Sequence, residues 1–586
     1  MHTASSRSTA VACALLCLAA ISLPGSGAAL AQPASPAAAP DPWWRHAVIY
    51  EIYPRSFQDS NGDGVGDLNG IAQRLDYLEA LGVDAIWIAP MYPSPQVDFG
   101  YDIADYQVVD PQYGTLADFD ALLAAAGRHH IRVILDMVLN HTSDQHPWFV
   151  EAAASRSSPR HDFYVWNDGR PTGTGKPAPP NNWVSLFGGS AWQFVPAVGQ
   201  FYYHRFYRQQ PDLNWRNPQV EQAMFAAMRF WLDRGVAGFR LDAITSLIED
   251  PKLRDEPLLG GVNAQGDPNV STVYTDNLPE NHEVIRRMRA MSDAYRGERV
   301  LIGETYVAHT ADLYPWYGGA RRDELQLPMD TLVGLGSTLD AALFRRLLTE
   351  AQRELHGEQP LLVFDNHDNV RSWNRFGDGV HDAAIARIVA TLLLTSRAAA
   401  LLYQGEELGQ TTATPTRVAD VRDPIGITGW PKEKGRDGER TPMQWSGEDA
   451  QAGFSTNPHT WLPVTPNYHG INVRSETADP ASLLNWHRRL IALRRSSAAL
   501  RGGRTVMLDR ANARVLTYAR VTPGGEAILV ALNMSAQPQT ITPQLSGAGV
   551  HAAHLKTLLA SPAPVDAAPG RPVTLPPFAA WVAAVN

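Results

Sequence analysis

The chain of 586 residues holds only two cysteines, Cys13 and Cys17, and both fall close to the N-terminus. That N-terminus carries Arg7, an apolar run over 9–23 and the small residues Ala29-Leu30-Ala31. This is the pattern of a secretory signal over 1–31, cleaved before Gln32, and it predicts export to the periplasm or the medium. The exported protein then has no thiol, which excludes thiol catalysis, cysteine-metal sites and a disulfide framework. Neither cysteine follows the small-residue pattern of a lipid-attachment site. No run reaches the roughly 20 apolar residues of a spanning helix, so no membrane anchor is expected. The formal charge of -10 comes from interspersed acids and bases with no basic stripe, which excludes nucleic acid as a partner. Low-complexity sequence is confined to one Ala/Pro-rich linker over 32–42, and no internal repeat stands out.

What remains is the composition of a folded protein, 44% hydrophobic and 19% charged, too long for a single compact core. Its 16 Trp and 19 Tyr suit a neutral substrate with apolar faces, although most aromatic residues of a large domain are core. After the linker, short β-branched runs alternate with longer amphipathic stretches, the signature of βα units. Strands are predicted over 47–53, 85–89, 133–137, 238–241, 300–303, 325–327, 361–364 and 399–403. Eight of them imply an α/β fold, a (β/α)8 TIM barrel over 43–141 and 211–503. The Pro, Gly, Asn and Trp-rich stretch over 142–210 is too long for a loop and reads as an inserted subdomain after the third strand. From 504 to 586 the texture becomes short strands (506–508, 515–520, 527–532) separated by turns, a C-terminal all-β sandwich domain.

Working residues of such a barrel project from the carboxyl ends of its strands, and polar residues accumulate there. The third strand ends Asp136-Met137-Val138-Leu139-Asn140-His141, the fourth Gly238-Phe239-Arg240-Leu241-Asp242-Ala243, the fifth Gly303-Glu304-Thr305, and the seventh Phe364-Asp365-Asn366-His367-Asp368. One carboxylate after a strand is often a helix cap, and one histidine there is often a core residue. Four polar clusters at one end of four strands are a different matter, because burying several charges together is costly unless chemistry requires it.

In this order and spacing the four segments resemble the α-amylase superfamily of glycoside hydrolases, from about Trp44 to Gly503. Gln210-Pro211-Asp212-Leu213-Asn214 further resembles the oligo-1,6-glucosidase and α-glucosidase branch. The resemblance implies Asp242 as nucleophile, Glu304 as general acid/base and Asp368 as the carboxylate that stabilises the transition state. It also implies His141 and His367 as donors to sugar hydroxyls. The chemistry is consistent: a retaining glycosidase needs two carboxyl groups about 5–5.5 Å apart, one to attack and one to protonate. Arg240 lies two residues before Asp242, so strand alternation points both to one face, where the guanidinium favours an ionised nucleophile. Glu304 must instead hold a proton, which burial and the charge of Asp242 promote.

Asp98-Phe99-Gly100-Tyr101-Asp102, after the second strand, resembles the family's terminal-sugar pocket, with Tyr101 as stacking platform and Asp98 at the non-reducing end. A late arginine pairs with that aspartate in the family. Of the two in Gly435-Arg436-Asp437-Gly438-Glu439-Arg440, Arg436 is the expected partner. Phe187 resembles an aromatic wall lent by the insertion, though insertion core is an equal reading. Asp59, Asn61, Asp63, Val65 and Asp67 offer oxygens at alternate positions of a Gly-rich loop, as calcium requires. The loop resembles an EF-hand without its last glutamate, since Gly70 stands there, and the ion it implies is structural Ca2+. An unoccupied acidic turn held by local Asx hydrogen bonds is the alternative.

The residue after the nucleophile is Ala243, and in the resembling enzymes a small residue there accompanies α-1,4 cleavage whereas Val accompanies α-1,6 cleavage. The sequence therefore predicts a secreted, exo-acting, retaining α-glucosidase acting on maltose and short α-1,4 oligosaccharides. A transglycosylase, a sucrose or trehalose isomerase and an oligo-1,6-glucosidase share its catalytic residues. A non-catalytic scaffold would be expected to have lost one of Asp242, Glu304 and Asp368. The partners implied are small α-glucosides, with neither nucleic acid nor membrane, and the residues carry no sign of an oligomeric state.

Overall fold

A computed structural model describes residues 41–173, 175–550 and 554–585, and residues 42–585 form one compact unit. The expected signal and most of the expected linker lie outside the described residues. Eight parallel strands close a barrel: β1 (Val48–Ile52), β2 (Ala85–Ile88), β3 (Arg132–Val138), β4 (Gly238–Asp242), β5 (Val300–Gly303), β6 (Leu327–Asp330), β7 (Leu361–Val363) and β8 (Ala399–Tyr403). The sixth strand begins at Leu327 rather than at 325. Leu325 instead packs against Gly303, and Gln326 bonds across to Leu301 through both its backbone and its side chain. An apolar pair at 325 and 327 therefore marked a strand approach as well as a strand. The barrel interior is a dry stack of Ile49, Trp87, Ile134, Ile302, Leu327, Val363 and Leu401, capped at the carboxyl end by Glu51, Asp136 and Arg240, all buried.

Local chemistry fixes the surrounding helices. Pro218–Arg234 starts at Asn217, whose side chain accepts from Gln219 N, and stops at Gly235 in the left-handed conformation. Its buried Val220, Met224, Met228 and Trp231 recur at helical spacing. Leu116–Arg128 starts with a reciprocal capping box between Thr115 and Asp118. Among the described residues no helix is long and apolar enough to cross a membrane.

The insertion after β3 builds a three-stranded antiparallel sheet from Trp166–Asn167, Gln200–Tyr203 and Trp192–Val195 around a core of Trp183, Trp192, Phe201 and Tyr203. It is stitched to the long connection after β4: Trp183 Nε1 donates to Arg254 O, and Asn182 bonds to Asp255 and Glu256. That connection carries its own hairpin, Leu258–Val262 with Pro268–Val270.

The C-terminal region forms a five-stranded antiparallel sheet in the order β9 (Arg504–Met507), β10 (Val515–Val521), β11 (Ala527–Asn533), β13 (Ala580–Val585) and β12 (Leu555–Ser561), with a two-stranded sheet of 539–541 and 573–575. β10 and β11 are buried along their whole length. Strand alternation divides them between two cores: Leu516, Tyr518, Ile528 and Val530 join the hydrophobic cluster of the barrel helices, whereas Val515, Ala519, Leu529 and Ala531 form a separate cluster with Trp581. Polar ties reinforce the seam, since Arg520 donates to Thr395 O and Arg345 donates to Val515 O.

Gly238, at the start of β4, adopts φ +151° with its position for a Cβ only 2.0 Å from Val300 O. Gly238→Ala is expected to destabilise the protein by about 3 kcal/mol through overpacking against rigid backbone. Denaturant unfolding checks this.

Candidate active site

β3, β4 and β5 are in register so that Asp136 faces Arg240 and Leu241 faces Gly303. The consequence is a cluster on one guanidinium. Arg240 Nη1 lies 2.6 Å from Asp242 Oδ1 and 3.1 Å from Asp136 Oδ1, and Nη2 lies 2.6 Å from Glu304 Oε1. Glu304 Oε2 also accepts from Ala243 N at 2.9 Å. That contact depends on an unusual backbone, for Ala243 adopts φ 45°, a region costly for a residue with a Cβ. Strain here turns the chain sharply after Asp242 and aims the Ala243 amide at its neighbour.

Burial pushes Glu304 up to about 7, against the pull of Arg240 and with the repulsion of Asp242. Burial also raises Asp242, opposed by Arg240 and reinforced by Asp136. Two carboxyls on one buried cation titrate as a unit, so near neutrality the pair retains a proton that a lone carboxylate would have lost. Asp368 is the opposite case. Burial would raise it, but His367, Arg436, Arg440 and Arg240 together hold it well below the usual carboxylate range. Its Oδ1 accepts from Arg436 Nη1 at 3.0 Å and from Arg440 Nη2 at 2.8 Å.

Asp98 and Arg436 meet as expected, with Nη2 to Oδ1 at 2.7 Å. Asp102 organises this end by accepting from the backbone of Val97 and Asp98. Arg436 is a three-way clamp, because its Nε also bonds Asp423 at 2.7 Å. Asp423, 13 residues before Arg436, was not singled out by the sequence, where its Asp-Pro step reads only as a cap for the helix Pro424–Gly429 that it does begin. Arg440, the alternative partner for Asp98, turns to Asp368 and to His367 O instead.

Asp98, Tyr101, His141, Phe187, Asp242, Glu304, Asp368 and Arg436 all line one cavity of about 440 Å³, within the usual range for a small-molecule site. Phe187 stands against Tyr207 and under the Arg436 guanidinium, so it serves as pocket wall. His141 is buried and held neutral, its pKa lowered by burial to about 4. Its Nε2 lies 3.0 Å from Tyr101 O and 3.0 Å from Gln210 Nε2. His367 sits behind the wall, 1% exposed and stacked between Tyr53 and Tyr101. Sequence reasoning missed Arg205, Phe206, Ser246, Asp276 and Tyr306, which also line the cavity. Ser246 and Arg205 both bond Asp276, at 2.7 and 2.5 Å. Arg205 and Phe206 sit in the inserted subdomain and Ser246 and Asp276 in the connection after β4, where no local motif marks them, whereas Tyr306 stands two residues after Glu304.

In the Gly-rich loop, Asp59 accepts from the backbone of Asn61, Gly62 and Gly64 and from the Ser455 hydroxyl. Asn61 Oδ1 accepts from Asp63 N, Asp63 Oδ1 from Val65 N, and Asp67 caps the helix Leu68–Gln73. The donor set is entirely hard oxygen, the chemistry calcium takes, and Asn61, Asp63 and Asp67 keep acceptor capacity beyond these bonds.

Comparison with known proteins places the chain in a family. A family model described as the α-amylase catalytic domain matches residues 51–503. A probable α-glucosidase of Rhizobium meliloti (strain 1021) is 43% identical over 521 residues, 85% of this chain and 90% of that protein. An oligo-1,6-glucosidase of Parageobacillus thermoglucosidasius is 38% identical, over 84% of this chain and 90% of that protein. The crystal structure of an α-glucosyl transfer enzyme, XgtA, superposes with a TM-score of 0.83 at 40% identity, covering 93% of this chain and 100% of that one.

Replacing Arg436 with Met would leave Asp98, Asp368 and Asp423 short of a shared cation. The expected cost is about 3–5 kcal/mol of stability and a loss of glucoside affinity, read by thermal unfolding with and without glucose.

Proposed function

The chain belongs to the α-amylase family, and from that premise we propose that it is a secreted, exo-acting, retaining α-glucosidase that removes terminal glucose from maltose and short α-1,4 oligosaccharides. One observation carries the reading: Asp242 and Glu304 sit on the two terminal nitrogens of Arg240, each at 2.6 Å. Carboxyls held side by side suit the retaining spacing of about 5 Å better than the wider gap, about 6.5–9.5 Å, that an inverting enzyme leaves for water.

In this reading Glu304 delivers the shared proton to the glycosidic oxygen while Asp242 attacks the anomeric carbon. The glucosyl ester that forms removes the charge of Asp242. Glu304 then loses the repulsion that helped raise it and becomes a base for the incoming water. Asp368, kept ionised by two arginines, faces the positive charge that develops on the sugar. Asp98, Arg436, Tyr101 and Phe187 enclose the terminal glucose, and the small Ala243 favours the α-1,4 linkage. The predicted signal supports export. The five-residue oxygen set from Asp59 to Asp67 would hold a structural calcium ion, whose role is to brace the loop after β1 and not to take part in the chemistry.

A second reading has its own support. Leu186, Phe187 and Phe206 give the cavity apolar lining, and a close structural neighbour is named as a glucosyl transfer enzyme. Such a lining favours a second sugar over water as acceptor. Product chromatography after incubation with maltose, isomaltose, sucrose and trehalose decides between them. Free glucose released fastest from maltose supports the hydrolase, whereas rearranged disaccharide with little glucose overturns it.

Asp242→Asn should lower kcat by about 10⁴-fold or more. Glu304 must be protonated for the first step, so activity on maltose falls as pH rises through about 7. Glu304→Gln should lose about 10³-fold on maltose, less on an aryl glucoside whose leaving group needs no acid, and should lack that alkaline limb. Calcium in excess of its dissociation constant by about 100-fold should stabilise the protein by about 2.7 kcal/mol. Thermal unfolding with chelator or calcium reads this shift, and Asp63→Ala should abolish it.

A further inference from the structure

Glu51, on β1, is 0% exposed and belongs to no pair that the mechanism uses. Its Oε1 lies 2.5 Å from His367 Nδ1, while Oε2 has no partner among the described residues. The His367 ring cannot turn freely, because Tyr53 stacks on it at 5.6 Å and Tyr101 at 5.3 Å. At the far side of the ring, Nε2 lies 2.7 Å from the Tyr101 hydroxyl and 3.2 Å from Asp368 Oδ2. The Tyr101 hydroxyl in turn lies 3.0 Å from Asp136 Oδ2.

We propose that Glu51 is a positioning residue that donates a hydrogen bond to His367 Nδ1 and so locks His367 in the tautomer that presents Nε2–H to Tyr101 and Asp368. Counting hydrogens favours this arrangement. With Glu51 as donor, Nε2–H points at the Tyr101 oxygen and the Asp368 carboxylate, and the Tyr101 hydroxyl is left to donate to Asp136. The Glu51 and Tyr101 hydroxyl hydrogens then each serve one acceptor, and the single Nε2–H is shared between Tyr101 and Asp368, so no two lone pairs face each other. In the opposite tautomer Nδ1–H points at Glu51 and Nε2 carries a lone pair. That lone pair faces a carboxylate oxygen of Asp368. It also claims the Tyr101 hydrogen, so Asp136 loses a donor.

The charges agree with the count. Arg240 is already shared by Asp136, Asp242 and Glu304, and among the described residues no arginine bonds Glu51. A fully buried carboxyl with one bare oxygen and no bonded cation is stable only when neutral. Burial outweighs the pull of Arg240 and, with the charges of Asp368 and Asp136, holds Glu51 well above the usual carboxylate range. His367 is correspondingly neutral, its pKa lowered by burial to about 3. Glu51 thus reaches the sugar through two intermediaries: it fixes a ring that fixes the orientation of Asp368 and Tyr101.

The inference rests on the glucosidase reading only for its effect on rate, since the tautomer is a property of the free protein. Protein labelled with ¹⁵N-histidine, with the His367 resonances assigned by their loss in His367→Asn, reports which ring nitrogen carries the proton. The expected result is protonation at Nε2 in the wild type and in Glu51→Gln, whose amide still donates. Glu51→Met, similar in size but without a donor, should lose that preference. On maltose Glu51→Met should lower kcat by about tenfold or more with KM less affected, and Glu51→Gln should restore most of the rate. Protonation at Nδ1 in the wild type overturns the proposal, and so does an unchanged tautomer and rate in Glu51→Met. Should Glu51→Met fail to fold, the wild-type spectrum decides alone. A wild type inactive on every glucoside would count against the glucosidase reading and leave the tautomer result standing.

Discussion

One buried guanidinium governs the centre of this protein. Arg240 is 1% exposed and is bonded by Asp136, Asp242 and Glu304 at once. A cation in that position would be untenable without carboxylates, and the carboxylates would be untenable together without the cation. Because three strands supply the four groups, the barrel must close in register for any of them to be satisfied. The arrangement leaves more acid than base in a dry space, and the surplus is met by retaining protons. A carboxyl kept protonated near neutrality is what general acid catalysis needs, so the same imbalance that strains the fold supplies the reactive group.

A second charged cluster stands across the pocket with two arginines instead of one. There Arg436 and Arg440 converge on Asp368, and Asp98 and Asp423 complete the set. Arginine is in excess around Asp368, so that carboxylate stays ionised where Glu304 does not. Two carboxyls of similar chemistry are thereby driven to opposite protonation states by their neighbours alone. Glu51 belongs to the tier below and extends the same logic downward, with a neutral acid holding a neutral imidazole in place.

Much of this was legible in the chain. The βα alternation and the polar strand ends located the barrel and the three carboxylates, because strand period and a carboxyl-end site are local properties of sequence. Asp98 and Arg436 were legible as a pair only through resemblance, since 338 positions separate them. The sixth strand was set too early because Leu325 and Leu327 are both buried, one outside and one inside the barrel. Asp423, Arg205 and Asp276 were not legible at all: each depends on how a long connection folds back, which periodicity does not encode. Nor did the sequence reveal that β10 and β11 would be covered on both faces, because small apolar residues such as Ala519 and Ala531 gave no hint of a second core.

That two-sided sheet has a bearing on how the molecule is made. Its inner face shields helices of the barrel, including Asp382–Thr395, whose last residue bonds Tyr518 and Arg520. Its final strand, Ala580–Val585, pairs with both β11 and β12. During synthesis the barrel helices are therefore made well before the sheet that covers them, and the nascent molecule carries a greasy flank until that sheet has been added.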